Sequence, residues 1–183
     1  AIRKLVLYGN QLSSLDGLAT LAGLTHLDVH SNHIVDVGGV WSAKQLEVLV
    51  ISGNKVIDLS RLVDPGLPRL KRLDISGNRV ADLEPVCDLR ALPHLAHLEL
   101  DSKDFGANPV CGSLAYPVAV HEALPRLRTL DGRAIARDRL FRRLALVEDD
   151  QCRAAETRLK TRESAAAARV AVALGRDVAR VAR

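Results

Sequence analysis

Methionine is absent from the 183-residue chain, and aromatic residues make up only 3% of it. Cysteine occurs three times, at Cys87, Cys111 and Cys152, which suits a reducing compartment better than a disulfide framework. No apolar run reaches the roughly 18 residues that a membrane-spanning helix needs, and no signal peptide opens the chain. Phosphate loops, dinucleotide fingerprints and zinc-ligand spacings are missing as well, which argues against a nucleotide- or metal-dependent enzyme. The chain begins without methionine, inside a repeating pattern and with no polar cap over its leucines, so it is expected to be an excerpt of a longer protein. A targeting signal would then lie outside it.

What is present is aliphatic: 48% of residues are hydrophobic, enough for one sizeable elongated core. They recur in one phrase, Leu-x-x-Leu-x-Leu-x-x-Asn-x-Leu. It reads Ile2, Leu5, Leu7, Asn10, Leu12; then Leu24, Leu27, Val29, Asn32, Ile34; then Leu46, Leu49, Ile51, Asn54, Val56; then Leu70, Leu73, Ile75, Asn78, Val80. Alternation in Leu-x-Leu predicts a strand with one buried and one open face. The asparagine stands where the chain turns inward, and its amide suits both donors and acceptors of a buried turn. A second apolar set follows each asparagine (Leu15 and Leu18, Val37 and Val40, Leu59 and Leu62, Leu83 and Val86), read as short helical or 3₁₀ segments on the convex side. No copy can bury its leucines alone, so stacked copies must share a core.

The fourth copy follows Asp64-Pro65-Gly66-Leu67-Pro68, expected to be an inserted turn. The fifth, Leu95, Leu98, Leu100, has Lys103 in place of asparagine and is expected to loop out and rejoin the pattern at Asn108. Phe105 on that loop is either a partner contact or folds back on its own core. A closing unit follows, with a helix from about Val118 to Leu124 and a last strand around Leu127–Leu130. From about Arg133 helix formers dominate, with Asp131 as a candidate helix cap. Leu140, Phe141, Leu144 and Val147 are expected to pack on the cap. Cys152, Ala155, Leu159, Ala166, Val170, Leu174, Val178 and Val181 fall at three-, four- and seven-residue steps. A coiled coil, a solvated helix and a helix resting on a neighbouring protein all fit that seam. Charge divides unevenly: residues 136–183 hold 12 Lys/Arg and 7 Asp/Glu, or +5 of the total +4, leaving −1 for residues 1–135. The basic tail suits nucleic acid or the acidic tubulin surface through charge, and its lack of interleaved aromatics counts against single-stranded RNA stacking.

The repeated phrase is identified as a leucine-rich repeat. Its 22-residue period resembles the class that includes the regulatory subunit of protein phosphatase 1, the spliceosomal A-prime protein and the axonemal dynein leucine-rich light chain. Asn108-Pro109-Val110-Cys111, followed by Leu124-Pro125-x-Leu127-x-x-Leu130-Asp131-Gly132, resembles the terminal cap of that class, although Tyr116 is followed by Pro117 where arginine is usual. The elongated fifth repeat followed by a helical tail looks like the leucine-rich-repeat and coiled-coil proteins of centrioles and cilia. The resemblance covers residues 1–135. It implies an α/β leucine-rich repeat solenoid: a short parallel β-sheet on the concave face, helical or 3₁₀ segments on the convex side, a C-terminal cap from about residue 108 and a long C-terminal α-helix over 136–183. It also implies a structural adaptor in a microtubule-based assembly of the cytoplasm, cilium, flagellum or centriole, with axonemal or microtubule-associated proteins on the concave face and the C-terminal helix. Two alternatives stand beside it: a regulator docking on a phosphatase or other enzyme, and a nuclear ribonucleoprotein subunit.

The open strand face carries the candidate binding residues: Tyr8; His26, Asp28, His30; Val48, Val50, Ser52; Arg72, Asp74; and His97, Glu99. Lys4, Val6, Ser76 and Asp101 complete the rows. An apolar centre at Val48 and Val50 with a polar rim is the anatomy of a protein-binding site. His26, Asp28 and His30 point the same way, but neighbouring copies supply no fourth metal ligand, so no metal or other cofactor is expected. Asp28, Asp74, Glu99 and Asp131 read as an acidic column on an open surface, without the pocket or nucleophile that catalysis requires.

Overall fold

A computed structural model describes residues 2–63 and 66–135. The tail expectations, including the long helix and its coiled-coil seam, lie outside the described residues. Five three-residue strands recur at the predicted places: β1 Lys4–Val6, β2 His26–Asp28, β3 Val48–Val50, β4 Arg72–Asp74 and β5 His97–Glu99. They pair in parallel, each with the next, and the in-register rows are Lys4, His26, Val48, Arg72, His97 and Val6, Asp28, Val50, Asp74, Glu99. Between these rows the central leucines turn inward: Leu49 and Leu73 are fully buried.

The asparagines hold the turns as expected. Asn54 Oδ1 accepts from the Ile34 amide at 2.9 Å, while its Nδ2 donates to the carbonyls of Val29, Ile51 and Ser52. Asn32 and Asn78 repeat the arrangement. Asn108 does take the place left vacant at Lys103, accepting from Val80 and donating to Ile75 and Leu100. The convex side consists of 3₁₀ turns at Leu18–Thr20, Gly38–Ser42, Asp88–Ala91 and Pro109–Gly112, with α1 Ser60–Val63 and α2 Leu83–Cys87.

Three local readings are corrected. The fifth-repeat loop is a hairpin, β6 Asp101–Ser102 against β7 Gly106–Ala107. The cap helix, α3, spans Tyr116–Ala123, starting before Val118 because Pro117, with its fixed φ, sits well in a first helical turn. Asp131 caps no helix among the described residues: with φ 51 it turns the chain from β8 (Thr129–Leu130) into β9 (Arg133–Ala134), which pairs antiparallel with it. Its carboxylate accepts from the Leu100 and Asp101 amides and from the Tyr116 hydroxyl. Asp131 is therefore a buttress of the cap and not part of the acidic column. No described helix is long and apolar enough to cross a membrane.

Candidate concave binding face

Alternation puts the predicted side chains outward. Val48 and Val50 are partly exposed on either side of fully buried Leu49, and Val6 and Tyr8 are 42% and 57% exposed. The polar members are tied to one another. His30 Nδ1 lies 2.7 Å from Asp28 Oδ1. Arg72 Nη2 donates to Glu99 Oε1 at 2.8 Å. His97 Nδ1 is 2.8 Å from Thr129 Oγ1, and His26 Nδ1 is 2.9 Å from Thr25 Oγ1. Side chains held this way lose less freedom when a partner arrives.

Two candidates do not reach the surface. Ser52 is completely buried and its Oγ has no hydrogen-bond partner; Ser76 is also buried, donating to Asp74 Oδ1 at 2.8 Å. That bond holds Asp74 down at 9% exposure. The hairpin packs beside these positions. Phe105 crosses in front of Gly53 and Gly77, the residues that follow the two serines, and the Gly77 amide donates to the Gly106 carbonyl at 2.9 Å. Asp101 leaves the concave sheet as the first residue of that hairpin. Ser52 is thus withdrawn as a partner contact, and Asp74 is a largely covered one.

The hairpin also builds what the sequence reading did not foresee. Tyr8 stacks on His30 with ring centroids 4.6 Å apart and an interplanar angle of 5°, and His30 meets Phe105 at 5.4 Å. An aromatic wall therefore runs from the first repeat to the third along the C-terminal edge of the strands. Phe105 folds back, as one of its two readings had it, but onto the face and not into the core cluster. Gly53 gives one signal: with φ +62, an added Cβ would lie 2.7 Å from the Phe105 ring. Gly9 has the same conformation with nothing near it, so glycine alone does not announce the hairpin.

No cluster among the described residues could hold a metal. Neither described thiol is prepared for chemistry: burial pushes Cys111 up to about 11, with Asp131 adding to the effect, and burial raises Cys87 too. Residues 1–169 match the leucine-rich repeat family model. The chain belongs to the leucine-rich repeat family. This family's fold serves as a protein-interaction module, and the concave sheet is the face described above. The U2 small nuclear ribonucleoprotein A' of Homo sapiens is 26% identical over 133 residues, covering 70% of this chain and 49% of that protein, and that of Mus musculus matches to the same extent. The chain thus spans about half the length of the curated relatives it matches. Among solved structures, the internalin InlF of Listeria monocytogenes superposes with a TM-score of 0.58 at 24% identity, over 73% of this chain and 36% of that one. Internalin C2 of the same bacterium gives 0.56 at 25% identity, over 70% and 50%.

Proposed function

We propose that the chain is a non-enzymatic scaffold that holds a protein partner on its concave face, in an assembly of ribonucleoprotein type. The observation that carries the docking reading is the pair Val48 and Val50, aliphatic, outward and central, set between restrained polar groups and flanked by the Tyr8–His30–Phe105 wall. Burying an aliphatic side chain contributes about 1.5–3 kcal/mol, so two together make a hot spot. The ribonucleoprotein assignment is supported by the curated relatives, which bear that name.

The ciliary or centriolar adaptor reading has a narrower basis, the elongated fifth repeat ending in Asn108-Pro109-Val110-Cys111 and the basic tail. Affinity purification of the tagged chain from cells of its own organism, with cross-linking through Lys4 and neighbouring lysines, separates the two. Ribonucleoprotein subunits cross-linked to the concave rows support the proposal. Tubulin and axonemal proteins would replace it with the adaptor, and a phosphatase catalytic subunit with the regulator.

A further inference from the structure

A second surface lies away from the concave face. The turn that leads into a strand is written Leu-Pro-x-Leu in three successive units: Leu67-Pro68-Arg69-Leu70, Leu92-Pro93-His94-Leu95 and Leu124-Pro125-Arg126-Leu127. Between the last two the packing opens into a groove of about 370 Å³. Its floor is aliphatic, from Leu92, Leu95, Leu124 and Leu127, which keep 3–6% exposure where the equivalent Leu46 and Leu70 keep none. Its rim is cationic. Arg126 spans the opening, donating to the Pro93 carbonyl at 3.0 Å, and the 69%-exposed side chain of Arg90 reaches Asp88 only at 3.6 Å. Because β4, β5 and β8 are neighbours, the exposed Arg69, His94 and Arg126 fall in one row, with Arg128 beyond. The nearby acids are Asp88 and, one residue before the groove's Ala123, Glu122.

We infer that this groove is a second docking site, for an acidic peptide segment carrying aliphatic anchors. The arginine rim supplies the attraction for carboxylates, and the leucine floor takes an aliphatic side chain. A nucleic-acid backbone would use the rim and leave the floor idle, and no aromatic residue lines the groove for a base to stack on. The site is independent of the concave face, so the scaffold joins two partners rather than holding one.

The test is fluorescence anisotropy on the full chain with a labelled peptide repeating Glu-Asp-Leu, compared with a Glu-Asp-Ser peptide, a Lys-Arg-Leu peptide and polyuridylate. The Glu-Asp-Leu peptide is expected to bind, and Arg90→Glu and Arg126→Glu are each expected to weaken it on the order of tenfold. The Glu-Asp-Ser peptide is expected to bind more weakly. The double reversal is expected to gain the Lys-Arg-Leu peptide, a result that an unfolded variant does not give. Val48→Arg with Val50→Arg is expected to leave the affinity unchanged, which separates this site from the concave one. Absent binding, binding insensitive to both reversals as the basic tail would produce, or a Glu-Asp-Ser peptide or polyuridylate binding as tightly as Glu-Asp-Leu through the same arginines, would overturn the inference.

Discussion

Asn54 shows how one side chain sets the spacing of an entire chain. Its amide satisfies one backbone donor and three backbone carbonyls at 7% exposure, whereas Asn10, in the same place of the first repeat, is exposed and donates only to Leu7 and Tyr8. Asn54→Ala is therefore expected to destabilise the fold by roughly 1–3 kcal/mol in urea unfolding, and Asn10→Ala much less. Equal losses would mean that burial is not what makes the asparagines matter. These positions were legible in the sequence because the period repeats them.

Asp131 was not legible, since its partners Leu100, Asp101 and Tyr116 follow no period. The Cys111 thiol and the Tyr116 hydroxyl of the same cap leave a signature in pH. Burial raises Cys111 from its usual 9.0 to about 11 and raises Tyr116 as well, so the fold favours their protonated forms. That stability is complete below pH 9.0, the usual thiol value, and is lost as pH climbs through about 11. The melting temperature should fall over that window, and Cys111→Ser should flatten the fall. A profile unchanged by the substitution would show that the thiol carries none of it.

At the level of elements, strands, convex turns and cap followed from hydrophobic periodicity, which reports a residue's neighbours within one repeat. The hairpin Asp101–Ala107 did not, because Phe105 acts on residues three repeats earlier. Phe105→Ala is expected to leave the array folded and to cost roughly 1 kcal/mol, about half the value for full burial. NMR should show the His30 and Ser31 resonances moving and those of the cap staying in place. A loss of the folded spectrum would make the hairpin part of the core. Gly53 offers a sharper check. Gly53→Ala should cost more than Gly9→Ala, since both meet the positive-φ penalty but only the first meets a phenylalanine ring. In the Phe105→Ala background the two costs should converge, a coupling that a double-mutant cycle reads directly. Persistent inequality would place the obstruction elsewhere.

At the level of the whole molecule, a row of identical turns has become two chemically different surfaces. The concave face combines aliphatic centre, restrained charges and aromatic wall; the Leu-Pro-x-Leu edge combines leucine floor and arginine rim. The repeat specifies neither, because its variable positions face outward and cost the fold little to change. On the proposed reading, those variable residues select the partner of the concave face.

The most direct measurement is therefore made on the two central valines. Val48→Arg combined with Val50→Arg should leave the melting temperature and near-ultraviolet circular dichroism essentially unchanged, since both side chains stand outside the core cluster. The same variant should lose the partner that the unaltered chain co-precipitates from its own cells. Intact folding with undiminished co-precipitation would contradict the account and remove the binding site from the concave face.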